Sequence, residues 1–498
     1  MIQNVNGNPS GFPPATPEEV GIPSQAITDF LRSLKQNDYC LHAFMLMRNG
    51  KLCFSTAVAP YTLDTPHRVF STGKSILALC VYFAIQEGFL HLEDRVAPFF
   101  RDVIGDNSAF DTMTVSDLLT MRSGQVDDAF PAILTDLDAD LIQRFFQTPL
   151  VEDPGKTFRY NNTIPHIVYA LVERATGIRF EDYQNTHLCQ VLNAPIYAPT
   201  NPKVQYNPVV MAMSANSLMK VAQFYLQEGE WQGQRVLAAE YIREAVKLQT
   251  YTNQSGNSAE YGYQIWRNAF GGYRMDGGWG QYAILLPQEN MAAIILSDMP
   301  NSVYALKAFE DELLKHLSPE ALPANENAYQ ELCHIGDHLS IAPESGSVSS
   351  ASEPTYFAQE YDFADPSMVI RFQKELNALK ITVTKDEETT VFQCGLNRCW
   401  LPNPSHLLVK PERTIDNGVY CLNRDECLLS GTWSLDQVFD IVGKSLGALG
   451  QYQYRFTFSD HGLMLEYTPQ VCRGCVGLHQ PICIRAEGRK TADERSRT

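Results

Sequence analysis

The sequence predicts an α+β fold: an antiparallel sheet flanked by helices, with an all-helical subdomain inserted, followed by a small all-β domain. Three observations predict it. Within residues 1–318, strand-like apolar runs stand at both ends, with helical pattern between them. A stretch rich in Pro, Ser, Ala, Glu and Gly follows over 319–353. Short alternating segments then run from 354 to about 485. The expected division is 1–318, a linker 319–353, a β-barrel-like domain 354–485 and a polar tail 486–498. A chain of 498 residues needs more than one core, because domains usually hold ~100–200 residues.

Each element has a local reason. Thr16-Pro17-Glu18-Glu19 has an early proline and acids in the first turn, which suits a helix start. Ala43 to Met47 and Lys51 to Val58 are apolar runs joined through Arg48-Asn49-Gly50. The Asn-Gly pair signals a hairpin. Ile76 to Ile85 is wholly apolar and follows Ser71. It is far short of the ~20 residues a membrane span needs, so a buried helix is expected. Thr114-Val115-Ser116-Asp117 carries cap chemistry, and Ile164 to Ala175 and Ser217 to Glu228 continue the helical middle. Strands return at Tyr261 to Trp266, Gln281 to Leu286 and Ala292 to Leu296, and Ser302 to His316 closes as a helix. Strands flanking a helical block argue for an antiparallel sheet, not a βαβ succession. In the last domain, Leu379-Lys380-Ile381-Thr382-Val383 and Tyr452 to Phe458 alternate as strands do.

The net charge of −18 argues against nucleic acid and anionic membranes as partners, since both require a cationic surface. The N-terminal residues show no basic and apolar leader pattern, so a cytoplasmic protein is expected. Twelve cysteines are then expected as reduced thiols.

Chemistry concentrates on Phe70-Ser71-Thr72-Gly73-Lys74-Ser75. A serine hydroxyl needs a base to become a nucleophile. Residues i and i+3 share a helix face, so Lys74 lies beside Ser71. A lysine acts as base only when neutral, and burial lowers its affinity for the proton. The pattern alone is weak, for Ser217 and Lys220 repeat it; there a helix cap and a solvated lysine are expected. Tyr160-Asn161-Asn162 adds a phenol for proton transfer and an amide for a substrate carbonyl, on a loop after Asp153-Pro154-Gly155. Tyr183/Asn185 and Tyr251/Asn253 share the spacing without that setting. Third, Asp276-Gly277-Gly278-Trp279-Gly280-Gln281 leads into a strand. A main-chain N–H there, with that of Ser71, would form an oxyanion hole.

Ser71-x-x-Lys74, then Tyr160-x-Asn162, then the glycine-rich strand, with Leu118-Leu119-Thr120-Met121-Arg122-Ser123-Gly124 between, resemble the serine β-lactamase and penicillin-binding-protein superfamily, in its class C-like branch of esterases and peptidases. The resemblance covers residues 15–317 and implies a β-lactamase/transpeptidase-like fold. It implies that Ser71 is acylated, that Lys74 and Tyr160 share general acid–base work and that Asn162 binds substrate. The third motif departs from the family's Lys-Thr-Gly or His-x-Gly. Trp279, Gly280 and Gln281 stand there, with the Gln281 N–H as expected oxyanion donor. No basic side chain then greets a substrate carboxylate. The expected activity is hydrolysis of a small ester or amide through an acyl-enzyme, with no cofactor. Alternatives are β-lactamase or D-amino-acid peptidase activity, or a non-catalytic binding protein on the same fold.

Two further motifs compete. Gly443-Lys444-Ser445-Leu446-Gly447 fits a nucleophile elbow, but too few residues follow to complete that fold. Cys472 and Cys475, with His479 and Cys483 near, could hold a structural zinc; free thiols are the simpler expectation.

Overall fold

The computed structural model describes residues 11–126, 140–197, 211–299, 301–341, 343, 346–364, 367–403, 427–446, 451–470 and 484–490. The chain forms two compact units, the first reaching Leu339 and the second starting at Ser340.

The first unit is built on an eight-stranded antiparallel sheet. Its order is Lys51–Ala57, Leu41–Arg48, Met291–Ser297, Gln281–Leu286, Tyr273–Gly277, Trp266–Arg267, Glu260–Tyr261 and Thr250–Tyr251. The N-terminal hairpin thus pairs with the last long strand, Leu46 lying opposite Ala293. Leu41–Arg48 and Met291–Ser297 are buried at every position, so the alternation expected of a half-exposed strand is missing from them. Helix Ala215–Leu226 covers one face of the central strands. Helix Thr72–Gln86 runs against Tyr273–Gly277 and is buried from Thr72 to Ala84, which accounts for its uniformly apolar sequence.

Two expectations need correction. Tyr261 to Trp266 is not one strand. Glu260–Tyr261 and Trp266–Arg267 are separated by a turn in which Gly262 N donates to Ile265 O. A Cβ at Gly262 would lie 2.2 Å from Ala245 O, so the turn has room only for glycine there. Second, the stretch read as linker carries the helix Glu326–Asp337. Its Leu332 is fully buried, its Glu331 pairs with Arg32, and Gly336 O accepts from Thr56 Oγ1 at 2.8 Å. Its composition reads as loop, but its apolar stripe finds a surface in the first unit.

Arg48 ties this unit's ends together. Its guanidinium donates to Val20 O, Gly21 O, Ser318 O and Glu289 O. Burial holds its pKa below the usual arginine value. Arg48→Ala leaves these carbonyls without their charged donor. A stability loss of about 2–3 kcal/mol is expected in urea unfolding.

The second unit is a closed barrel. Strands Glu360–Ala364, Ser367–Lys374, Ala378–Lys385, Glu388–Gly395, Cys427–Leu435, Val438–Ser445, Gln451–Phe458, Gly462–Gln470 and Ile484–Lys490 close when Gly395 meets Ser430. Phe372, Trp433, Phe439, Phe456 and Phe458 fill it. Trp433 Nε1 donates to Glu353 Oε2 at 2.9 Å, and Lys374 neutralises that buried acid at 2.8 Å. Gly443, Lys444 and Ser445 sit within a barrel strand rather than at a strand-to-helix elbow, which removes the competing nucleophile reading. Cys472, Cys475, His479 and Cys483 lie outside the described residues. Among the described residues, no group of three or more His, Cys, Asp or Glu is placed to hold a metal, and no helix is long and apolar enough to cross a membrane.

Candidate active site

The site begins at a strained turn. Val69 N donates to Met211 O, and Phe70 then takes φ +46°, a conformation a bulky residue rarely adopts. Ser71 follows as the N-cap of helix Thr72–Gln86. Its side chain makes no cap hydrogen bond, so the hydroxyl is left to other work at the positive end of the helix. Lys74 is one turn on, 1% exposed, and its Nζ donates to Ser71 Oγ at 2.6 Å and to Asn162 Oδ1 at 2.9 Å.

The Tyr160 loop is shaped by its middle residue. Asn161 Oδ1 accepts from the N–H of Thr163 at 2.7 Å and of Ile164 at 3.3 Å, capping helix Ile164–Thr176. Asn161 thereby serves the backbone and Asn162 serves Lys74. Tyr160 presents its ring face to the lysine, Nζ lying 4.7 Å from the ring centroid. Four expected residues, Ser71, Lys74, Tyr160 and Asn162, therefore meet in one cluster.

The decoy pairs do not. Ser217 N donates to Ser214 Oγ, so Ser214 and not Ser217 caps that helix. Lys220 reaches Asn193 O at 2.7 Å. Tyr183 hydrogen-bonds Glu87, and Tyr251 is exposed.

The glycine strand arrives differently from expectation. Gly277 is the residue pressed on the start of helix Thr72–Gln86; a Cβ there would lie 2.2 Å from Val69 O. Trp279 and Gly280, with φ +67° and +81°, form the tip of the hairpin. Gln281 is fully buried, opposite Gly277 in the ladder. Its carbonyl, rather than its N–H, is what reaches the helix, accepting from Thr72 Oγ1 at 3.0 Å. Its side-chain amide donates to Gly278 O, Trp279 O and Ser297 O, so Gln281 braces the turn.

Three residues to which the sequence assigned no role stand beside the cluster. Trp266 stacks on Tyr160 with centroids 5.9 Å apart and planes at 25°. Arg274 lies with Cζ 5.7 Å from the Trp266 ring, and pairs with Asp276 at 2.7 Å. Burial pushes the Asp276 carboxyl above its usual pKa, while Arg274 and then Lys74 draw it back down. Asp276 is therefore within electrostatic reach of Lys74. Arg274 and Asp276 stand two apart on a strand, hence on one face; that periodicity was the available signal. Trp266 had none, because its partner Tyr160 is over a hundred residues away in sequence.

The beta-lactamase family model matches residues 42–314. A 6-aminohexanoate-dimer hydrolase from Paenarthrobacter ureafaciens is 24% identical over 319 residues, covering 58% of this chain and 81% of the relative. Among solved structures, the octameric penicillin-binding protein homologue from Pyrococcus abyssi is 14% identical, with 93% of this chain and 99% of that one covered and a TM-score of 0.49. The D-amino acid amidase from Ochrobactrum anthropi is 15% identical, with 57% and 99% covered and a TM-score of 0.47.

Proposed function

This chain belongs to the beta-lactamase family of hydrolases, and from that premise we propose that it cleaves a small ester or amide through an acyl-enzyme on Ser71. One observation carries the reading: a buried lysine bridges the Ser71 hydroxyl at 2.6 Å and the Asn162 amide at 2.9 Å. In the reaction Ser71 Oγ bonds to the substrate carbonyl carbon. Its proton crosses the short contact to Lys74 in its neutral form. The positive charge that forms is spread by the Tyr160 ring and the Asn162 oxygen. Tyr160 relays the proton to the departing alcohol or amine as the carbonyl re-forms. Water then attacks the acyl-serine with the proton transfers reversed. The Ser71 N–H at the helix start and a main-chain N–H on the strand around Gly277 would hold the oxyanion. No step calls for a metal or cofactor.

The substrate is an ester or amide rather than a carboxylate-bearing β-lactam. Between Gly271 and Gln281 the only basic side chain is Arg274, which is 1% exposed. The curated relative's name, hydrolase of a dimer of an amino acid, favours an amide within this class. We also place the protein in the cytoplasm, where thiols such as those of Cys53, Cys80, Cys189 and Cys333 stay reduced.

A fluorophosphonate should label the protein once, at Ser71 by mass spectrometry, and Ser71→Ala should lose the label completely. Undiminished labelling of Ser71→Ala, or none of the folded protein, overturns the proposal.

A further inference from the structure

We propose that Asp276 is a specificity-determining residue of this site, its carboxylate held from behind by Arg274 and accepting a hydrogen bond from an ammonium group on the acyl part of the substrate. The inference rests on the serine-hydrolase reading above.

The two members of the ion pair are unequally placed. The Arg274 side chain is 2% exposed and that of Asp276 is 23% exposed. Arg274 is also fully engaged: Nε goes to Asp276 Oδ2 at 2.8 Å, and Nη1 goes to Asn257 O and to Asn268 Oδ1. Its guanidinium stands by Trp266. It cannot turn to a substrate without breaking these contacts. What the pair offers outward is therefore the carboxylate edge, an acceptor of N–H and a repeller of other carboxylates.

That edge belongs to the strand pressed on the start of the Ser71 helix. Asp276 precedes Gly277, which is packed on Val69 O and Thr72 Oγ1 at either side of Ser71. It feels the charge of Lys74. Tyr160 and Trp266, stacked between Lys74 and Arg274, form an aromatic wall beside it. A carboxylate beside aromatic faces is a chemical match for an ammonium on a short apolar chain. The cation would act on catalysis as well as on binding. A positive charge seated near Lys74 disfavours its ammonium form and promotes the neutral amine that takes the serine proton. The acidic protein as a whole draws the same class of substrate.

Three rigid p-nitrophenyl esters test this without cyclising: trans-4-(aminomethyl)-, trans-4-ethyl- and trans-4-(carboxymethyl)cyclohexanecarboxylate. The unaltered protein should prefer the cationic ester over the neutral one by roughly tenfold or more in kcat/KM, as a hydrogen bond to a charged group provides. The anionic ester should fall below both. Asp276→Asn keeps the shape and should collapse the cationic-to-neutral ratio to about one. Circular dichroism reads whether the variant is folded. The panel on the unaltered protein decides the question even if it is not. Ser71 labelled by fluorophosphonate but no preference for the cation overturns this inference alone. A preference that survives in folded Asp276→Asn also overturns it. No labelling of Ser71 overturns the serine-hydrolase reading and this inference together.

Discussion

Lys74→Ala is expected to lower kcat/KM for p-nitrophenyl esters by about 10³-fold, the middle of the range for a positioned proton-transfer group. The argument is geometric. Lys74 Nζ is the one group bonded to both Ser71 Oγ and Asn162 Oδ1 in the described structure of the site. Alanine removes the proton acceptor and leaves Asn162 Oδ1 without this donor. Ser71 keeps its place, because its turn is set by main-chain bonds: Thr72 N to Val69 O, Gly73 N to Phe70 O and Lys74 N to Ser71 O. The far-ultraviolet circular dichroism should therefore be unchanged. Turnover within about tenfold of the parent would contradict the base role, since a positioned proton-transfer group contributes at least about 10²-fold.

Gly277→Ala should damage both fold and activity. The added Cβ would sit 2.2 Å from Val69 O and 2.9 Å from Thr72 Oγ1. The first of these is backbone, so the strand and the turn that carries Ser71 must separate. Overpacking of this kind costs about 1–3 kcal/mol. A displacement near 1 Å at the reacting centre costs about 10²-fold in rate. The neighbour is the control. Gly278 is exposed, and a Cβ there meets nothing within 4 Å. Gly278→Ala should keep the parent's urea midpoint and ester turnover. Equal behaviour of the two variants would show that the strand's approach to Val69 does not matter to the site.

Much of this site was legible in the sequence, for a definable reason. Ser71 and Lys74 are three apart, so helix geometry alone brings them together. Tyr160 and Asn162 are separated from them by about ninety residues. Their recruitment was readable from motif order rather than from spacing. Cap chemistry was legible where it is local, as at Thr114 and Asp117, whose reciprocal bonds form. It misled at Ser217, because Ser214 competes for the same helix start and wins its N–H. Composition misled over 319–353, where polar residues conceal a helix whose few apolar positions find a prepared surface.

What the sequence determined by itself is the α+β class, the barrel-like second unit, and the pairing of Ser71 with a lysine one turn away. These follow from hydrophobic periodicity and from contacts within a few residues, and chain connectivity guarantees such contacts. Only the tertiary structure decided which part of the glycine strand meets the turn that carries Ser71. Gly277, not Gln281, lies against Val69, while Gln281 braces the turn from within. It also decided that an Arg274–Asp276 pair and Trp266 stand beside Lys74 and Tyr160. Those juxtapositions depend on strand register and on helix-to-sheet packing. A one-residue slip of register would turn Asp276 to the opposite face, and no local pattern in the chain records which register is taken.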